Sequence, residues 1–166
     1  MQLEVTDKWF DPNSLLNIYN KINRTEKQLC WTTRGKHDLL DGVGSIFQYQ
    51  PSEEWDWSDV APQFKDTLLD VIHKELSVDW KLGRARFMKM DGGNKALSYH
   101  YDEGFRLHIP ICTTPESWFI LEDKQLHIMP ELGRLYVLDA NKYHSALNLS
   151  RKGDPRIHIV ISAIKR

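Results

Sequence analysis

Cysteine is scarce in this chain. Only Cys30 and Cys112 occur in 166 residues, and they form neither a close-spaced metal pair nor a disulfide framework. A reducing, cytoplasmic setting is therefore expected. Long apolar runs are missing too: none approaches the roughly 20 residues of a membrane-spanning helix. The opening Met-Gln-Leu-Glu-Val-Thr-Asp lacks the basic-then-apolar pattern of a secretion signal. Charge of one sign is not in excess. Lys and Arg number 22 against 23 Asp and Glu, a net charge of −1 with no single-sign run. Neither a nucleic-acid backbone nor a membrane surface is the expected partner. A phosphate-cradling loop is lacking as well, since Gly42 and Gly44 make half of that pattern with no further glycine and no helix behind them. No repeat, low-complexity tract or linker divides the chain, so residues 1–166 are expected to form one domain.

What is present has a clear order. Residues 1–11 read as an extended lead-in, with Trp9 and Phe10 as packing anchors. Asp11-Pro12 opens a helix whose apolar stripe (Leu15, Leu16, Ile18, Tyr19, Ile22) runs to about Asn23. Residues 24–58 are mixed, with short strands expected at 28–33 and 42–50. A second helix starts near Ser58, and Phe64, Leu68, Leu69, Val71, Ile72 and Leu76 give its stripe. From Trp80 onward the helical period gives way to strands: 80–90, then near 96–102, 105–113, 117–121, 125–129, 134–138, 144–149 and 156–164. A helical or mixed part over about 1–78 and a strand-rich core over 79–166 imply a mainly β fold. The expected architecture is a small antiparallel barrel or jelly roll braced by the N-terminal helices. Six tryptophans, at 9, 31, 55, 57, 80 and 118, are expected in the core and in cleft walls.

The chemistry gathers around His100-Tyr-Asp102. If residues 96–102 form a strand, His100 and Asp102 share a face, with Tyr101 turned away. Both could then reach one metal ion, and His144, far along the chain, could supply a third ligand. Two imidazoles and one carboxylate on one side of a metal make the facial triad of non-haem Fe(II) oxygenases. In Arg106-Leu-His-Ile-Pro-Ile111, alternation puts Arg106 and His108 opposite Leu107, Ile109 and Ile111. Arg156-Ile-His-Ile-Val-Ile161 repeats the pattern, with Arg156 and His158 opposite three isoleucines. Arginines facing a barrel interior need partners, and a bound dicarboxylate would provide them.

These residues together resemble the aspartyl/asparaginyl β-hydroxylase family of Fe(II)/2-oxoglutarate oxygenases. The resemblance covers roughly residues 84–164 and rests on His100-Tyr-Asp102, Arg106-Leu-His-Ile-Pro-Ile, Val137-Leu-Asp139, His144 and Pro155-Arg-Ile-His-Ile-Val. It implies a double-stranded β-helix of the jelly-roll or cupin kind. It implies Fe(II) on His100, Asp102 and His144, with 2-oxoglutarate and O2 as co-substrates. Arg156 would hold the distal carboxylate of 2-oxoglutarate, with Arg106, His108 and Met90 also lining its pocket. Met88 stands where the family has a serine, so that hydroxyl contact is not supplied. Asp102 favours hydroxylation over halogenation, which needs a vacant ligand position. The chain looks most like the small bacterial and phage-type members, some of which act on free amino acids such as proline.

The implied activity is hydroxylation of an unactivated C–H bond in an amino acid, a peptide side chain or a related small substrate. Trp31, Arg34, Tyr101 and Glu103 are candidates for the substrate cleft, alongside Tyr99 and Trp118. The competing reading is a cupin-like metal-binding module without redox activity, against which stand the inward arginines. A non-redox isomerase or hydrolase on the same barrel is a third reading.

Overall fold

The chain begins with strand β1 (Leu3–Trp9) and helix α1 (Pro12–Ile22). Asp11 caps α1 by accepting from the Asn13 amide at 3.2 Å and the Ser14 hydroxyl at 2.5 Å, and Pro12 sits in the first turn, where its missing N–H costs nothing. Asn23, in the left-handed region at φ 53°, ends the helix. Short strands β2 (Gln28–Cys30), β3 (Thr32–Thr33) and β4 (Asp59–Val60) follow, then helix α2 (Leu68–Leu76). The remaining chain is nearly all strand: β5 (Trp80–Met90), β6 (Lys95–Ala96), β7 (Phe105–Cys112), β8 (Ser117–Ile120), β9 (Leu126–His127), β10 (Arg134–Asp139), β11 (Ser145–Asn148) and β12 (Arg156–Lys165). All of this comes from a computed structural model that describes residues 1–166.

Two antiparallel sheets dominate. The larger has six strands in the order β1-β10-β7-β12-β5-β2; the smaller has four, β6-β11-β8-β9, and β3 and β4 form a separate pair. The arrangement is a double-stranded β-helix braced by the N-terminal helices. Residue alternation divides the six-stranded sheet into two chemically different faces. Phe87, Leu107, Ile109, Ile157, Ile159 and Ile161 point outward and pack with Leu15 of α1 and Leu69, Ile72 and Leu76 of α2 in one cluster of 22 buried residues. Each fully buried aliphatic side chain there contributes about 1.5–3 kcal/mol. The inner face looks toward the smaller sheet. At one end Tyr136, Leu138 and Met90 meet Phe119 and Ala146 across the gap, and the rest of that face carries Arg84, Arg86, Arg106, His108, Arg156 and His158, all buried.

Four expected elements come out differently. Residues 42–50 form no strand: Gly42 and Gly44 take positive φ, Ser45 caps a single helical turn at Ile46–Gln48, and Phe47 is 82% exposed. The second helix starts later than its apolar stripe suggests, because Asp66 turns the backbone left-handed and Thr67 caps the helix at Leu68. Trp9 is half-exposed, its indole donating to the Leu132 carbonyl, so of these two expected anchors only Phe10 is buried in the core. Most consequentially, the segment after β6 is not a strand. Only one isolated bridge, His100 to His144, interrupts an irregular run to Gly104.

Candidate metal centre and anion cleft

The irregular run brings His100 and Asp102 together by backbone pairing rather than by strand alternation. His100 and His144 exchange amide-to-carbonyl hydrogen bonds of 3.1 and 2.8 Å, and the Asp102 amide donates to Ala140 at 2.8 Å. Gly104, at φ 78°, lets the chain turn into β7; a Cβ there would lie 2.6 Å from the Ala163 carbonyl. Asn141 holds this turn from the other side, accepting from the Gly104 amide at 2.9 Å.

The result is a convergence of donor atoms. One ligand atom from each of His100, Asp102 and His144 lies within 4.8 Å of the others. His100 Nε2 and His144 Nε2 stand 3.6 and 3.9 Å from the same oxygen, Asp102 Oδ2. Each imidazole turns its Nδ1 onto a backbone carbonyl, His100 to Ser98 at 2.6 Å and His144 to Lys142 at 2.9 Å. A carbonyl can only accept, so both Nδ1 atoms carry the proton and both Nε2 lone pairs point at the shared space. Burial, chiefly, pushes His144 below the ordinary imidazole value, which favours the neutral, ligating form. The donor set suits a divalent transition metal: two imidazoles, one carboxylate and free positions beyond. No comparable His/Cys/Asp/Glu group occurs elsewhere in the chain.

The triad stands at the mouth of a cleft of about 940 Å³ between the two sheets. That is near the top of the range for small-molecule sites, roughly 300–1,000 Å³. A hollow of about 430 Å³ beside α1, lined by Ile18, Ile22, Leu39 and Phe64, holds no cluster of titratable groups. Arg84, Arg86, Arg106, His108, Arg156 and Val160 form the large-sheet wall of the cleft.

The four arginines are not equivalent. Arg84 pairs with Glu54 at 2.8 Å, and Arg106 lies 3.3 Å from Glu54 and 3.2 Å from Asp102 Oδ2. Burial pushes the Glu54 carboxyl upward, but Arg106, Arg84 and the Ser162 hydroxyl outweigh it and hold it below the usual value. Arg156, by contrast, meets no carboxylate. Its guanidinium contacts the ring nitrogens of His158 at 3.1 and 3.2 Å and lies over the Phe119 ring at 4.7 Å. Burial drives it down to about 9. His108 and His158, 3.3 Å apart through their Nδ1 atoms, are both held well below the imidazole value, by burial first and by Arg156 next. They are neutral, and leave the charge on Arg156 uncompensated.

The candidates from the sequence divide accordingly. His100, Asp102, His144, Arg106, His108, Arg156, Tyr101 and Glu103 all line the cleft. Met90 does not: it packs against the apolar cluster at the end of the inner face, and Met88, two residues earlier, takes the cleft position. Trp31 is fully buried in the core on the outer side of the sheet, where no substrate can reach it. Arg34 pairs with Asp41 at 2.8 and 2.9 Å and stacks over Trp57 at 4.6 Å, outside the cleft lining. Sequence reasoning missed Glu54, which sits in an aperiodic stretch and gives no signal. It also missed Arg84 and Arg86. Their alternation with Ala85 and Phe87 along β5 is the same sign that singled out Arg106 and Arg156.

No family model and no curated protein matches the sequence. The fold is similar to that of AviO1 from Streptomyces viridochromogenes Tue57, with a TM-score of 0.56 and 11% identity over 98% of this chain and 89% of that one. It is also similar to CytC3 with Fe(II) and alpha-ketoglutarate, with a TM-score of 0.54 and 13% identity over 99% of this chain and 73% of that one. A 2OG-Fe(II) oxygenase family oxidoreductase from Burkholderia pseudomallei overlaps only in part: this chain spans 43% of its length, at 14% identity and a TM-score of 0.43.

Proposed function

We propose that the chain is an Fe(II)- and 2-oxoglutarate-dependent dioxygenase, working as one domain, that hydroxylates an unactivated C–H bond of an amino acid, peptide side chain or related small substrate. One observation carries the reading: a two-histidine, one-carboxylate triad opens into the same cleft as Arg156, a buried guanidinium without a counter-ion. A purely structural metal needs no such cation, whereas a dicarboxylate that chelates the metal at one end needs it at the other. The likeness in fold to CytC3, a protein described with Fe(II) and alpha-ketoglutarate, supports the same choice. The motif resemblance to the aspartyl/asparaginyl β-hydroxylases supports a small member of that group.

His100, Asp102 and His144 would hold the iron, and Arg156 the distal carboxylate of 2-oxoglutarate. When bound, the pair supplies oxidising chemistry: one oxygen atom of O2 enters the substrate C–H bond and the other enters succinate, with release of CO2. The chain's own residues do the positioning. Ser98 and Lys142 carbonyls fix both imidazoles, and Arg106 orients the Asp102 carboxylate.

The test is anaerobic titration of the protein with Fe(II) and then 2-oxoglutarate, following the visible metal-to-ligand charge-transfer band. The band should appear in the wild type and vanish in His144→Ala. Iron binding without a band would leave the metal-binding module as the better account. No iron binding at all would reduce the triad to coincidence.

A further inference from the structure

The oxygenase reading gives Arg156 a partner but leaves Arg86 without one. Resting on that reading, we propose that Arg86 and Gln28 form a second anion subsite, which holds a carboxylate or phosphate group of the substrate beside the metal and the co-substrate. Arg86 projects from β5 into the cleft in register with Val160 of β12, and His108 of β7 faces Val160 from the other side. An apolar floor thus lies between a cation and an imidazole.

Arg86 is 6% exposed. Its one hydrogen bond runs from Nη1 to the Gln28 side-chain oxygen at 3.2 Å, a neutral acceptor, and its Nε is buried with no partner at all. Glu54, whose field reaches it, is already shared by Arg84 and Arg106. Burial, with Arg84 adding repulsion, pushes Arg86 down to about 10. Gln28 is fixed in turn, because its oxygen also accepts from the Gly44 amide at 3.0 Å, leaving the Gln28 NH2 group free to donate. A guanidinium fork next to a free amide donor is the arrangement an anionic oxygen pair requires.

The charge inventory of the cleft leads to the same place. Four guanidiniums (Arg84, Arg86, Arg106, Arg156) face two inner carboxylates, Glu54 and Asp102, while Glu53 and Glu103 lie exposed at the rim. A divalent metal with a dianionic co-substrate adds no net charge. Two positive charges remain in excess, and Arg86 is the cation with no counter-ion. Burying a charge unpaired is strongly unfavourable, so its retention marks a place that a ligand completes.

Thermal melting of the Mn(II)-loaded protein tests this. The wild type, Arg86→Gln, Arg86→Lys and Arg156→Gln are compared with 2-oxoglutarate alone. Each is then compared, at saturating 2-oxoglutarate, with the free L-amino acids, their carboxamides as controls that lack the carboxylate, and inorganic phosphate. We expect 2-oxoglutarate to stabilise the wild type and both Arg86 variants alike, and to lose its effect in Arg156→Gln. At least one amino acid, or phosphate, should raise the wild-type Tm further while the amides do not. Which of them does so separates a carboxylate-bearing from a phosphate-bearing substrate. Arg86→Gln should weaken that second response at least tenfold, with 2-oxoglutarate affinity held within twofold. Its Tm without ligands should be no lower than the wild type's, since it removes an unpaired buried charge. Arg86→Lys, which keeps the charge and loses the fork, should weaken the response less. The subsite is overturned if no anion stabilises beyond 2-oxoglutarate, if amides match acids, if Arg86→Gln loses the 2-oxoglutarate response, or if Arg86→Gln fails to fold. Should 2-oxoglutarate itself do nothing while Arg86-dependent anion binding persists, the oxygenase reading falls and the subsite stands.

Discussion

Arg84 and Arg106 stand on the same inner sheet face as Arg86 and Arg156, and all four are 6% exposed or less. The first two are closed within the protein by Glu54, which also accepts from Ser162. The second two reach only neutral partners, Gln28 and His158. Identical side chains at equal burial therefore divide by counter-ion. A buried cation paired within the chain belongs to the fold's own electrostatics, and one left open is held ready for something the chain does not contain.

The comparison breaks most visibly at Glu54. Glu54→Ala should cost about 3–5 kcal/mol of folding stability, because it leaves the buried Arg84 guanidinium with no carboxylate and Arg106 with Asp102 alone. Urea denaturation reads this directly, and a loss under about 1 kcal/mol would mean the closed pair is not closed at all. The contrasting change, Arg156→Gln, should leave folding stability level or higher. It should weaken 2-oxoglutarate by about 1.5–3 kcal/mol, the worth of hydrogen bonds to a charged group, measured as the dissociation constant from the charge-transfer band. A drop in stability with unchanged co-substrate affinity would reverse the assignment of the two arginine pairs.

A weaker effect sharpens the same contrast through pH. His108 and His158 are neutral in the folded protein, with values far below the 6.5 of an unfolded imidazole. Below about pH 6.5 the unfolded chain takes up protons that the folded chain refuses, so stability falls as pH falls. The slope is up to about 1.4 kcal/mol per pH unit for each group. Above that pH neither contributes. Metal-free urea melts at about pH 7.5 and about pH 5.5, on either side of the imidazole value, should show the loss, and His158→Asn should remove that group's share of it. The smallest effect is expected at Arg34→Lys, outside the cleft, where 2-oxoglutarate affinity should shift less than twofold by the same titration.

Much of this was readable in advance because it follows from local periodicity. Leu107, Ile109 and Ile111, and likewise Ile157, Ile159 and Ile161, alternate with polar partners and face the helices as that pattern requires. The cap at Asp11 and Pro12 placed the start of α1, and the apolar stripe through Ile22 placed its end to within a residue. Alternation also put Arg106, His108 and Arg156 on the inner face. It failed for His100 and Asp102, whose meeting depends on backbone pairing with Ala140 and His144. The expected geometry was wrong there even though the three side chains do converge. Trp31 illustrates the opposite failure: a large aromatic suits a cleft or a core equally well, and packing under the helices decided for the core.

The sequence by itself determined which strand faces are apolar, where the first helix starts, and which residue types gather near the triad. All of these depend on spacing along a regular element, where neighbours in the chain are neighbours in space. Only the tertiary structure decided that Glu54 closes Arg84 and Arg106 while Arg86 and Arg156 stay open. That outcome depends on which side chains from distant segments fall within a few ångströms of one another. A pairwise electrostatic contact leaves no period in the sequence.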